Sequence, residues 1–343
     1  METTAAFPGP EVLERRLGEF LQMRGTSRAA LRKEADQGFG PPALAVAAGS
    51  VLAGFGNVRS DLDLLVLVEN EKLNRFPVPS HEHGTTIDVN LRRASTVREG
   101  TAALEAEPWP TVDTAGEDAW NHRRRQLITT SRLALGLPIV VSPPWDSWHA
   151  GLRHPWLQDA VRRWYALEAH RLAEAARWLS AAKPLVAAVR ARGAVVAALN
   201  SRAAAGGQVY FAPKWAGEKL KALDDTEGLA LLRETLAPGD PPSQVARALD
   251  LVPRMTGPLP PLHTVLHWAT GAGTMELPDR TLVDRWQLRA VEVHRRGLPA
   301  ADSGAAIWSG PAGTLPPPEL LSLFVHNMVW LSVARPAQEG AIA

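Results

Sequence analysis

The chain has 343 residues, 45% of them hydrophobic, which is long enough for two domains with sizeable cores and argues against wholesale disorder. Its 37 lysines and arginines nearly balance 36 aspartates and glutamates, for a net charge of +1; this disfavours nucleic-acid binding through an overall basic surface and leaves only a local basic patch open. Cysteine is absent, which excludes disulfides, thiolate zinc sites and cysteine nucleophiles.

The first residues, Met-Glu-Thr-Thr-Ala-Ala-Phe-Pro, place an early acid and no basic segment ahead of an apolar stretch, so no signal peptide is expected. No window reaches the apolar length of a membrane span, and a soluble, cytoplasmic protein is the expectation. Two helical patterns follow, over 11–23 and 27–37, with Thr26 or Ser27 as the cap of the second. The cluster Gly38-Phe39-Gly40-Pro41-Pro42 breaks the pattern. Strands are predicted over 43–48, 61–68 and 84–91, forming a small mixed sheet with its acids gathered at one end.

The stretch 46–70 organises the rest. An apolar run ends in Gly49-Ser50, a Gly-rich polar segment follows, and a second apolar run carries Asp61 and Asp63. Alternate side chains of a strand share a face, so the two aspartates point the same way and Leu62 points into a core. Two carboxylates aimed together repel, and a divalent cation between them is the economical explanation; Mg²⁺ prefers hard oxygen ligands. Gly49-Ser50 follows a strand and is expected to open a helix, where free N–H groups and a hydroxyl can hold phosphate oxygens. Further on, Thr85-Thr86-Ile87-Asp88-Val89-Asn90-Leu91 places Asp88 between apolar neighbours, after a gap holding Pro77, Pro79 and Gly84. Glu82 lies close by as an alternative third acid.

Gly-Ser, ten residues, then Asp-x-Asp on an apolar strand resembles the signature of the DNA polymerase β-type nucleotidyltransferase superfamily, over residues 40–92; Gly54 and Ser60-Asp61-Leu62-Asp63-Leu64 agree with it. The resemblance implies an α+β fold: a small mixed-sheet catalytic domain, 1–137, followed by a mainly α-helical domain, 138–343, that closes the nucleotide cleft and helps bind the acceptor. It implies a Mg²⁺-dependent enzyme with Asp61, Asp63 and Asp88 as catalytic and metal-binding residues. Two Mg²⁺ ions are expected, with Asp61 and Asp63 bridging both and Asp88 on the one that activates the acceptor. Gly49, Ser50 and Ser60 are expected to contact the nucleoside triphosphate, taken as ATP.

After Arg93 the pattern turns helical, over 97–107 and 116–135. The second segment carries Arg123, Arg124, Arg125 and Arg132: a solvated face, or arginines that meet a triphosphate or an anionic acceptor. The segment 137–155, with Pro138, Pro143, Pro144 and Pro155, reads as a linker. Long alanine-rich helices are predicted over 156–180 and 183–205.

Beyond Gly206-Gly207, the run Tyr210-Phe211-Ala212-Pro213-Lys214-Trp215 resembles an aromatic-x-x-Lys-Trp element of helical-domain nucleotidyltransferases, whose lysine reaches the phosphates. That resemblance implies nucleotide contacts for Lys214 and Tyr210; the alternative has Lys214 in water while Tyr210 and Trp215 pack. Shorter helices are predicted at about 226–236, 243–252, 260–269, 280–296 and 317–334, and Ala305-Ala306-Ile307-Trp308 reads as a short strand or an anchored loop. His263 and His267 have the four-residue spacing of a helical zinc site without a glutamate after the first histidine, and are expected to pack instead. The twelve tryptophans are expected in cores rather than as base-stacking platforms.

The activity expected from the resemblance is transfer of a nucleoside monophosphate, AMP from ATP, to a hydroxyl of a small-molecule acceptor such as an antibiotic, sugar or peptide, with release of pyrophosphate. The alternatives are a toxin-like modifier of tRNA or protein, and a catalytically silent binding module. No membrane partner is expected.

Overall fold

The computed structural model describes residues 7–36, 41–57, 59–70, 77–80, 87–106, 109–269, 274–279, 281–284, 289–292 and 305–336. It has an α+β fold. Two compact units interleave along the chain: residues 1–107, 125–162 and 203–224 form one, and 108–124, 163–202 and 225–343 the other.

The first unit is built on a five-stranded mixed sheet of β1 (Pro42–Ala48), β2 (Leu62–Val68), β3 (Pro77–Ser80), β4 (Ile87–Arg93) and β5 (Leu137–Val141), in the order β3-β4-β2-β1-β5. Strands β2 and β4 run parallel and the other pairings are antiparallel. Strand β5 falls in the stretch read as a linker, as does helix α6 (Pro143–Gly151). Proline hid both: Pro138 sits on an edge strand, where a missing N–H costs no ladder bond, and Pro143 and Pro144 open a helix, where no N–H is needed.

One face of this sheet is covered by α1 (Pro10–Met23) and α2 (Arg28–Ala35). Leu13, Leu17, Phe20 and Leu21 recur at helical spacing and are buried against Leu62, Leu64, Val66, Ile87, Val89 and Leu91. Ser27 is the cap of α2, its hydroxyl accepting from the Ala30 N–H at 3.2 Å. Arg28 and Arg32 donate to the Pro138 and Ile139 carbonyls, fastening α2 to β5. Because Leu62 and Ile87 belong to this core, the alternate residues Asp63 and Asp88 occupy the opposite face. The unit also holds α3 (Ser50–Ala53), α4 (Ala94–Ala106) and α9 (Ala216–Ala222). The boundary between the units falls inside α5 (Glu117–Ala134), α7 (Pro155–Leu179) and α8 (Pro184–Ala205).

The second unit holds most of α7 and α8, with α10 (Thr226–Leu236), α11 (Pro241–Thr256) and α12 (Pro318–Val325). Asp225 and Asp240 cap α10 and α11, accepting from the N–H groups of Gly228 and Ser243. It also contains two three-stranded antiparallel sheets. One has β6 (His263–Trp268) between β10 (Ala306–Pro311) and β11 (Val329–Ala334); the other is β7 (Thr274–Glu276), β8 (Thr281–Asp284) and β9 (Arg289–Glu292). Strands β6, β8, β9 and β11 fall where helices were predicted, and β10 falls on the stretch read as a short strand or an anchored loop.

The helix predicted over 260–269 is therefore replaced by β6, the described residues within 280–296 form β8 and β9, and the segment predicted as one helix over 317–334 is a helix followed by a strand. His263 to Trp268 is a short run buried on both faces, whose periodicity does not separate strand from helix. At 317–334 the break is Asn327, in the left-handed region at φ 57°, where the Met328 N–H returns to the Leu323 carbonyl and closes the helix. The partly buried ion pair Arg171–Glu168, with two contacts of 2.7 Å, lies beneath Trp330, whose ring centre is 4.3 Å from the guanidinium. Trp120, Trp164, Trp178 and Trp268 are core residues, as expected. Among the described residues no helix is long and apolar enough to cross a membrane.

Candidate functional site

All of the predicted site residues that the structure describes lie in the first unit. Asp63 is the second residue of β2 and Asp88 the second of β4. The parallel register pairs them directly, so both carboxylates leave the same face of the sheet from adjoining positions. Asp61 is exposed, just ahead of β2, and acts electrostatically on Asp63. Glu82 lies outside the described residues.

Burial pushes the Asp63 carboxyl above the ordinary carboxylate range, and the charges of Asp88 and Asp61 push it the same way; Arg132 and Lys214 pull against them. The bond opposing that rise is a salt bridge: Arg132 Nη1 donates to Asp63 Oδ1 at 3.2 Å, with the side chains 30% and 16% exposed. Arg132 comes from the last turn of α5 and is bonded in turn to the Tyr210 hydroxyl. Burial raises the Tyr210 pKa, so its phenol stays protonated while its oxygen accepts from the guanidinium.

The other side of Asp63 is closed by Gly49. Ala48 ends β1 opposite Asp63, and Gly49 turns the chain away with φ 93°, a conformation open to glycine. A Cβ at position 49 would lie 2.3 Å from Asp63 Oδ2, so the bare Cα is what lets the carboxylate sit there. Ser50, half-buried, is the first residue of the four-residue helix α3. Ser60 closes a local turn: its hydroxyl accepts from the Asn57 N–H at 2.9 Å, and its own N–H donates to the Asn57 carbonyl.

Tyr210 and Lys214 occupy the segment after α8. The Phe211 N–H donates to the buried Ser131 hydroxyl at 3.2 Å, fixing this segment to α5 one residue from Arg132. Tyr210 packs with Leu135, Val209, Phe55 and Trp215. The Phe55 and Trp215 rings are stacked at 6.0 Å and 25°. Pro213 opens a 3₁₀ turn over Pro213–Trp215, and the exposed Lys214 places Nζ 5.5 Å from the centre of the Trp215 ring. Lys214 is still near enough to draw on the Asp63 charge. Tyr210 and Trp215 thus pack, and Lys214 is exposed while its charge acts on Asp63.

Sequence reasoning missed the role of Arg132, which it grouped with Arg123 to Arg125. Arg123 belongs to the other unit, 5.0 Å from the centre of the Trp109 ring. A signal was present: Arg132 is the only charged residue between Gln126 and Trp145, and a lone charge in such a stretch calls for a partner. His263 and His267, on a strand, turn to different neighbours, Ser309 and Ser332.

Among the described residues no three His, Asp or Glu side chains are gathered closely enough to hold a metal ion by themselves. Asp63 and Asp88, with Asp61 in range, suit Mg²⁺ in the kind of donor they offer, because that ion is commonly held by one or two carboxylates together with substrate phosphates.

No family model matches this chain, and no curated protein matches it. Among solved structures it is similar to the crystal structure of a nucleotidyltransferase-like protein from Exiguobacterium sibiricum 255-15, at 13% identity and a TM-score of 0.39, over 68% of this chain and 74% of that one.

Proposed function

We propose that this protein is a Mg²⁺-dependent nucleotidyltransferase that moves AMP from ATP to a hydroxyl of a small-molecule acceptor. The observation that carries the reading is the register of Asp63 against Asp88 on one sheet face, with Gly49-Ser50 at the end of the strand beside them. The near-zero net charge favours a small acceptor over tRNA.

In this reading Asp61, Asp63 and Asp88 hold Mg²⁺, which when bound supplies charge neutralisation for the triphosphate and the acceptor oxygen. Asp88 takes the proton of the acceptor hydroxyl as its oxygen forms a bond to the α-phosphorus. The bond from that phosphorus to pyrophosphate breaks, and pyrophosphate carries away the electron pair. Gly49 and Ser50 bracket the triphosphate, and Lys214 adds a cation on the open side of the site. Positioning and charge placement account for most of the rate gain. The domain assignment proposed with it gives 1–137 to catalysis and 138–343 to cleft closure and acceptor binding.

The Arg132 salt bridge favours a second reading, a silent binding module, because a fixed guanidinium can stand in for a cation beside Asp63. A thermal-shift screen of the four nucleoside triphosphates with Mg²⁺, followed by mass spectrometry of candidate acceptors for a nucleotide-monophosphate increment, separates the two. A melting shift with an increment supports the enzyme. A shift with no increment on any acceptor supports the module, and no shift with any triphosphate defeats both.

A further inference from the structure

Building on the nucleotidyltransferase reading, we infer that Arg132 is a resident counter-cation which Asp63 releases only when a divalent cation arrives together with a triphosphate, so that the site resists the cation alone. Asp63 is largely buried, and each of its oxygens has a neighbour already. Oδ1 accepts from Arg132 Nη1 at 3.2 Å, and Oδ2 lies against the bare Cα of Gly49. The guanidinium is also hydrogen-bonded to the Tyr210 hydroxyl. A cation that binds Asp63 through Oδ1 therefore competes with Arg132 for that oxygen.

Displacement by the cation alone leaves a partly buried guanidinium without its anion beside a new positive charge, which is strongly unfavourable. Displacement by the cation with a triphosphate does not, because phosphate oxygens accept from a planar guanidinium in pairs and replace the lost carboxylate. Lys214, whose charge already acts on Asp63, adds to the repulsion of an unaccompanied cation. Asp61 and Asp88 attract a cation, and Arg132 sets the condition on which it enters. Arg132 is in this sense a positioning residue for Asp63 in the resting protein and a phosphate partner in the loaded one.

The test is Mn²⁺ binding to the full chain, followed by electron paramagnetic resonance of the free ion, with and without ATP. Wild-type protein should take up Mn²⁺ weakly alone and much more tightly with ATP. Arg132→Gln should bind Mn²⁺ alone more tightly by roughly 10-fold or more, the scale on which groups bonded to a ligating side chain move metal affinity. Its dependence on ATP should shrink, its KM for ATP should rise, and adding Asp63→Asn should cancel the gain. Tyr210→Phe, which keeps the ring and removes the hydroxyl that holds Arg132, should shift Mn²⁺ affinity in the same direction by less. Equal affinity of wild type and both variants for Mn²⁺ alone, with ATP-dependent uptake intact, overturns the role of Arg132 and leaves the enzyme reading standing. A gain that persists with Asp63→Asn overturns it too. No Mn²⁺ uptake by wild type with ATP overturns both.

Discussion

Two sheets of this protein carry polar side chains on adjoining strands and treat them in opposite ways. In β10-β6-β11, His267 and Ser332 are fully buried and bonded to each other at 3.0 Å, a polar pair whose bond offsets its desolvation. In β3-β4-β2-β1-β5, Asp63 and Asp88 adjoin as like charges, Asp61 adds a third, and an arginine from another element intervenes. The first arrangement serves the fold. The second works against it, since burial and neighbouring charges both disfavour the ionised Asp63, and such local conflict belongs where chemistry is done.

The largest break in that contrast is expected from Asp63→Asn. It preserves shape and an oxygen for Arg132 while removing the charge, and nucleotide transfer should fall by at least about 100-fold. Incorporation of α-labelled ATP measures it, and unchanged incorporation would contradict the proposed role.

The next effect belongs to the second unit and to pH. His170 is partly buried, and that burial lowers its pKa from 6.5 to about 4. The Thr256 hydroxyl gives its proton to the Val252 carbonyl, so it accepts from His170 Nε2 at 3.1 Å, a bond that neutral imidazole satisfies. The unfolded chain takes up a proton here below about pH 6.5 and the folded chain does not until near pH 4. Stability from this group is therefore complete above 6.5 and falls as pH drops toward 4, by up to about 3 kcal/mol. His170→Gln, which can still donate to Thr256, should flatten that part of the acid slope in urea denaturation between pH 7 and 4. An unchanged slope would remove His170 from the account.

Ser332→Ala should have the smallest effect. It leaves His267 Nε2 without this partner on the buried central strand and should cost about 1–2 kcal/mol in denaturant unfolding. ATP-dependent transfer by the folded protein should not change. A loss of transfer in proportion to Asp63→Asn would mean that the two sheets are not separable in the way their chemistry suggests.

These elements were not equally legible in the sequence. The long helices and strands β1, β2 and β4 were readable because each has a clean period and a breaker at its end: Ser27 before α2, Gly49-Ser50 after β1. Asp63 and Asp88 were readable as a pair because alternation fixes their faces once the strands are found. Strand β5 was hidden by Pro138, and β6 by an apolar run without alternation. The split of 317–334 was marked by Asn327, a residue that tolerates the left-handed region, but a single asparagine in an apolar segment is a faint signal. Arg132 was hidden by its position after three other arginines, although it alone of the four stands in an otherwise uncharged stretch, where a lone charge calls for a partner.

The contact between Gly49 and Asp63 makes position 49 unusual. Its importance lies in a volume left empty by the residue that occupies it, which a carboxylate from another strand fills. Even alanine there would dislodge that carboxylate without altering any group that carries charge or donates a proton. A survey of single substitutions should therefore find position 49 as intolerant as the acids themselves, though it brings no side chain to the reaction.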